Sequence, residues 1–201
     1  MIKNFIFDFG KVLVCYDFPA FLKTLDMDEA DRPAFEHLVC DPAFVERCDR
    51  GVETFSEIIQ DLQRTYPRWH KPLQEFHDRQ IEAMTTEMPG MRDILTRLRQ
   101  RGYRLYGLSN WSCTIYPIIE KFSILRMLDD RIISCEERIV KPDPAIYRLL
   151  CNRFGLNPQD CLFTDDRQDN VDAARYVGMH ALLFTDAHQF EQDLHALKVP
   201  L

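Results

Sequence analysis

The chain predicts an α/β fold, a doubly wound parallel sheet interrupted near its start by an α-helical insertion. Three observations carry this. Short runs that are apolar almost throughout recur along the sequence and end in polar residues. A strand apolar on both faces belongs in a parallel sheet covered by helices on either side. Helix-patterned segments alternate with these runs, as repeated strand–helix units require. The alternation breaks once, between the first run and the second.

Residues 3–9, KNFIFDF, form the first strand. The second is YRLYGLS at 103–109, followed by RIISCE at 131–136, DCLFTDD at 160–166 and HALLF at 180–184. Between them, PGMRDILTRLRQRG opens near Pro89 and closes at Gly102, PDPAIYRLLCNRFG closes at Gly155, and NVDAARYVG closes at Gly178. A proline at the start and a glycine just past the end are helix boundaries. Asp8 and Ser109 lie about 100 positions apart, whereas a strand–helix–strand unit needs only about 30. Residues 15–85 therefore read as an insertion. Its segments DFPAFLKTL, EADRPAFEHLV, DPAFVERCDRG, TFSEIIQDLQRTY and LQEFHDRQIEAM all space their apolar residues as helices do, and no convincing strand stands among them. The expected division is a Rossmann-like core of residues 1–14 and 86–201 with a helical cap domain of residues 15–85.

Composition narrows the function. Hydrophobic residues are 46% and charged residues 28%, as in a folded soluble domain, and the net charge is −7. An acidic balance argues against nucleic acid and anionic membrane surfaces, which select basic patches. Seven cysteines are scattered with no CxxC pair, so no zinc site is expected. Several sit in apolar surroundings, as small buried hydrophobes do, and a reducing, cytoplasmic setting is expected. The start of the chain does not resemble a signal peptide, because Asp8 interrupts the apolar run. The six histidines show no ligand spacing, and neither a GxSxG elbow nor a GxxxxGK[ST] loop occurs.

In open α/β sheets, ligands bind beyond the carboxyl ends of the strands. The polar residues there are Asp8, Ser109 with Asn110, and Asp165 with Asp166; Lys141 lies in the loop before PDPAIYRLL. Carboxylates hold Mg²⁺, and lysine with small hydroxyls holds phosphoryl oxygens. Two adjacent acids after a buried strand are costly unless paired. Ser109 and Asn110 are also candidate N-caps for CTIYPIIEKF, a role compatible with anion binding. Arg50, Asp17, Tyr16, Trp69 and Trp111 are candidate specificity residues, and Arg50–Gly51 is equally a helix-ending turn.

The ordered set FIFDFGKVL, LYGLSNWS, RIVKPDPAIY and LFTDDRQDNVDAAR resembles the four motifs of the haloacid dehalogenase (HAD) superfamily, over nearly the whole chain outside the insertion. FDFGKVL and the RG turn before ETFSEI resemble the subgroup of glucose-1-phosphate phosphatases. The resemblance implies a Rossmann-like HAD fold with a small helical cap. It implies Asp8 as nucleophile and Mg²⁺ ligand, the Gly10 carbonyl and Asp166 as further ligands, and Asp165 as a ligand directly or through water. Ser109 and the Asn110 backbone would bind phosphate, and Lys141 would stabilise phosphate and nucleophile. The spacing of about 24 residues from Lys141 to Asp165 leaves no room for a cap at the alternative position. The implied partner is a small phosphorylated metabolite, with no nucleic acid, membrane or protein partner expected.

One position departs from the pattern. Most phosphatases of this superfamily carry a second Asp two residues after the nucleophile, as general acid and base; this chain has Gly10. The carbonyl remains available to a metal, but the proton donor is gone, a loss typically worth about 10²–10⁴-fold. The expected enzyme is a Mg²⁺-dependent phosphatase acting through an aspartyl-phosphate on an ester with a good leaving group, such as a hexose 1-phosphate. The alternatives are a metal-independent 2-haloacid dehalogenase, whose halide needs no proton, and a non-catalytic protein that binds a phosphorylated ligand.

Overall fold

The computed structural model describes residues 1–201. Five strands form one parallel sheet: β1 (Asn4–Phe7), β4 (Arg104–Ser109), β5 (Asp130–Ile133), β6 (Cys161–Asp165) and β7 (His180–Leu183), in the order β5-β4-β1-β6-β7. The remaining two strands, β2 (Val14–Tyr16) and β3 (Met84–Glu87), pair antiparallel beside it. The five apolar runs fall on the five sheet strands. RIISCE ends as a strand at Ile133, and Ser134–Glu137 turns into a short helix. β2 and β3 correct the expectation of a strand-free insertion. β2 is three residues long, and β3 (MTTE) buries only Met84 fully, so neither shows the alternation that marks a strand.

Each β1 residue is buried, and alternate side chains serve opposite faces. Phe5 and Phe7 join one apolar cluster, with Leu95, Leu98 and Phe190, while Ile6 joins the other with Tyr147 and Phe163. Helices Met91–Gln100 and Ala187–Ala196 cover the first face; Pro144–Phe154 and Gln168–Tyr176 cover the second. β1 lies between β4 and β6 in parallel register, Phe7 opposite both Gly107 and Thr164. That register brings Asp8, Ser109 and Asp165 to one edge, at the point where the strand order reverses direction, the crevice where open α/β sheets bind ligands.

Between β2 and β3 lie helices Phe18–Leu22, Arg32–Val39, Pro42–Arg50, Phe55–Thr65 and His70–Arg79. Asp41 caps the third by accepting from the Ala43 and Phe44 N–H groups, and Thr54 with Glu57 forms a capping box on the fourth. Phe76 is their common packing partner, its ring centroid 5.8–6.5 Å from those of Phe21, Phe35, Phe44 and Phe55.

Two contacts seat these helices on the sheet edge. Gly51 ends helix Pro42–Arg50 at φ +64°, and a Cβ there would lie 2.2 Å from the Cys135 carbonyl oxygen. Only glycine permits both that backbone conformation and that approach. Beside it, the Ser134 hydroxyl donates to the Asp49 carbonyl at 2.6 Å. Cys135 is itself joined to Cys113 in a disulfide, their Cα atoms 5.8 Å apart. The expectation of a reducing setting does not include such a bond. The pair is 22 residues apart and forms because parallel β4 and β5 bring the segments that follow them together, which no sequence spacing announces. The other five cysteines are free. No helix is long and apolar enough to cross a membrane.

Candidate active site

β1 delivers Asp8 to the sheet edge, where its N–H is fixed by the Thr164 carbonyl at 2.9 Å. Its Oδ1 accepts from Ser109 Oγ at 2.8 Å and pairs with Lys141 Nζ at 2.9 Å. Burial pushes the Asp8 carboxyl up to about 6; Lys141 opposes the shift and the Asp165 charge adds to it. Lys141, also buried, sits 2.6 Å from Asp165 Oδ2 and donates to the Leu108 carbonyl at 2.9 Å. Burial disfavours its charge, but the flanking carboxylates of Asp165 and Asp8 outweigh this and raise its pKa. The ammonium therefore stays charged between two acids, a buried pairing that excludes a lone, unpaired lysine.

Asp165 is fully buried, and its other oxygen accepts from the Arg167 N–H and from Asn170 Nδ2, both at 2.9 Å. Its hydrogen-bonding capacity is spent on Lys141 and on the following turn. Asp166 instead faces the cavity, together with Asp8, Gly10, Ser109, Asn110 and Lys141. Carboxylate oxygens of Asp8, Asp165 and Asp166 lie within 4.8 Å of one another. The Gly10 carbonyl accepts no hydrogen bond in the protein. Two cavity-facing carboxylates beside an unpaired carbonyl make a hard-oxygen donor set, which fits a small divalent cation.

Asn110 takes a different part from a helix cap. Its amide donates to the Lys141 carbonyl at 2.9 Å and accepts from the Lys141 N–H at 2.7 Å. The next helix starts only at Ile115, with Thr114 before it, so the capping expectation for Ser109 and Asn110 is corrected. The two side chains are held by Asp8 and by the Lys141 backbone instead.

The expected specificity residues divide. Tyr16 and Trp111 line the cavity. Asp17 caps helix Phe18–Leu22 through the Ala20 N–H, Trp69 is buried against Phe35 and Tyr66, and Arg50 pairs with Glu46 on an exposed face. Those three serve the helical layer. Where a side chain on residue 10 would begin, Tyr16 Cε1 lies 3.1 Å away and Trp111 Cζ3 3.6 Å away. Two aromatic rings thus crowd the position where a second acid's side chain would start. The cavity has a volume of about 610 Å³ and, toward the helices, an apolar wall including Val39, Phe44, Phe55 and Phe76.

Among the lining residues that escape a reading from sequence are Lys11, Asn170 and Asp49. Asn170 lies in the DNVDAAR segment, where its five-residue spacing from Asp165 is the available signal. Lys11 carries positive φ, which no sequence pattern advertised. Asp49 immediately precedes Arg50–Gly51, but helical spacing does not say which residue of that turn looks inward.

A carboxylate paired with a buried lysine thus stands at the switch point of a parallel α/β sheet. The family model for haloacid dehalogenase-like hydrolases matches residues 2–178, and the chain belongs to that family. It is 30% identical over 112 residues to the flavin mononucleotide hydrolase 1 of Arabidopsis thaliana, covering 56% of this chain and 46% of that one. It is 30% identical over 148 residues to the phosphatase MT3486 of Mycobacterium tuberculosis, covering 73% and 66%. The aligned segment thus spans about half to two thirds of these relatives. The fold is shared with a HAD family enzyme of Bacteroides thetaiotaomicron, crystallised with magnesium and inorganic phosphate, at TM-score 0.78 and 19% identity over 94% of this chain and 100% of that one.

Proposed function

We propose that this protein is a Mg²⁺-dependent phosphatase of small phosphomonoesters that works through an aspartyl-phosphate on Asp8. The observation that carries the reading is the Asp8 carboxylate held by Ser109 at 2.8 Å and Lys141 at 2.9 Å in the cavity that Gly10 and Asp166 also line. Phosphatase names among the relatives, and magnesium with phosphate in the Bacteroides enzyme, support it. Asp8, Asp166 and the Gly10 carbonyl would hold the Mg²⁺, with Asp165 ligating at most through water because its oxygens are engaged. The bound cation supplies charge neutralisation for the incoming phosphoryl group. Lys141 meets the same phosphoryl oxygens and keeps Asp8 ionised. Ser109 Oγ orients the attacking carboxylate, and the Asn110 N–H, its side chain pinned to Lys141, is left for a phosphoryl oxygen.

The helical segment 15–85 acts as the cap that closes over the substrate. With no acid at residue 10, the favoured substrates are esters whose alcohol departs with little protonation, and a hexose 1-phosphate is our first candidate. A second reading has its own observation: the wall of Val39, Phe44, Phe55 and Phe76 favours an alcohol with a flat or apolar body over a hydroxyl-rich sugar.

Phosphate release from a panel of sugar 1-phosphates, sugar 6-phosphates, aryl phosphates and flavin mononucleotide, with Mg²⁺ and with chelator, tests both. Release that needs Mg²⁺ and is lost in Asp8→Asn is expected. No release from any ester would sink the phosphatase reading. Metal-independent halide release from a 2-chloro acid would replace it with the dehalogenase, and binding without turnover with the non-catalytic protein.

A further inference from the structure

The cavity holds one carboxylate that the proposed chemistry has not used. Asp49 lies on the last turn of helix Pro42–Arg50 and lines the same cavity as Asp8, Gly10 and Lys141. No side chain hydrogen-bonds to its carboxylate, although its backbone is pinned. Ser134 Oγ donates to its carbonyl at 2.6 Å, and two residues on Gly51 meets the Cys135 backbone at a distance only glycine allows. The helical segment therefore brings a carboxylate with no side-chain partner, faced by the Ser112 backbone N–H, into the cavity that Asp8 lines, and fixes the chain that carries it.

From this geometry, and resting on the phosphatase reading above, we infer that Asp49 is the general acid and base of the reaction, supplied from the cap in place of the side chain that Gly10 lacks. In the first step an Asp8 oxygen bonds to phosphorus as the ester P–O bond breaks. The bond's electron pair goes to the leaving oxygen, which takes the Asp49 proton and departs as the alcohol. In the second step a water oxygen bonds to phosphorus and gives a proton back to Asp49. The bond from phosphorus to Asp8 breaks, its electron pair returns to the Asp8 carboxylate, and inorganic phosphate is released.

Two further facts agree. Burial, with the Asp8 charge, pushes the Asp49 carboxyl up to about 7, while Lys141 pulls it down in part, so its proton is available near neutral pH. Tyr16 and Trp111 crowd the space beside Gly10, so an acid there would have to displace the Tyr16 ring by a few tenths of an ångström or more.

The test uses leaving groups. The kcat/KM value reports the transfer of phosphate to Asp8, in which p-nitrophenolate needs no proton and an alkoxide does. For Asp49→Asn we expect kcat/KM for p-nitrophenyl phosphate within about threefold of wild type, but a fall of about 10²–10⁴ for alkyl phosphates, the size of a lost general acid. With p-nitrophenyl phosphate the variant should also give a burst of one p-nitrophenol per enzyme, followed by slow turnover, because the second step lacks its base. Asp49→Glu keeps a carboxyl and should retain at least about a tenth of the alkyl-ester rate. An equal fall for all esters, no fall, or equal loss in both variants overturns the assignment. Wild-type enzyme inactive on every ester instead overturns the phosphatase reading, and this inference falls with it.

Discussion

Lys141 is the residue on which site and stability meet. Its ammonium lies between Asp8 and Asp165 and donates to a main-chain carbonyl, all out of water. Removing one partner from a buried ion pair costs about 3–5 kcal/mol, because the survivor keeps its desolvation penalty. Lys141→Met should therefore lower the free energy of unfolding by that amount, read as a lower urea midpoint at unchanged m-value, and abolish turnover. Gly10 makes the opposite point. Installing the missing acid should not improve the enzyme, because Tyr16 stands 3.1 Å from the new Cβ. Gly10→Asp is expected to cost about 1–3 kcal/mol of overpacking and to lower turnover. Combined with Tyr16→Ala, the cost of Gly10→Asp should fall below its cost in the wild-type background, a non-additivity measured by the same unfolding curves. At this scale the sequence was explicit where a residue type is chemically unusual for its place. An acid closing an apolar strand, or two acids in succession, points to itself. Asp17, Trp69 and Arg50 drew attention as types but belong to a cap, a core and a surface pair, because no residue type states where its helix faces.

Among the elements, helix Pro42–Arg50 has the most exacting position. Its terminal glycine combines left-handed backbone with contact against Cys135, whereas Gly155, ending helix Pro144–Phe154 at the same φ of +64°, has nothing within 4 Å of a would-be Cβ. Gly155→Ala should therefore cost only the left-handed conformation, about 1–2 kcal/mol. Gly51→Ala should cost that and about 1–3 kcal/mol more, and should lower turnover as the helix is pushed off the sheet edge. Thermal unfolding of the two variants side by side separates the terms. The five sheet strands were readable because apolar runs with polar ends are a local signal. β2 and β3 were not, because short strands half open to water carry no periodicity and exist through each other. The Cys113–Cys135 bond was hidden for a related reason: it depends on which strands are neighbours, a property of topology.

Across the whole molecule, one hydrophobic cluster runs without interruption from the sheet into the helical segment, including Phe5 and Phe7 of β1 as well as Phe35, Leu73 and Phe76. A shared core predicts shared melting. The two tryptophans sit in different layers, Trp69 inside the helices and Trp111 at the cavity. Heating followed by tryptophan fluorescence and by backbone circular dichroism should give coincident curves. Two separated transitions would show that the helices unfold by themselves.

The central place of β1 has a consequence in time. The amide of Asp8 is bonded to the Thr164 carbonyl on a strand flanked on both sides, so its hydrogen exchanges with solvent only when the sheet comes apart. Asp49 rides a helix whose Ala43, Val45 and Glu46 side chains are exposed, a segment that opens at smaller cost. The Asp8 carboxylate, our proposed nucleophile, should thus belong to the slowest clock in the protein and the Asp49 carboxylate to a faster one, and deuterium uptake at these two amides would read both.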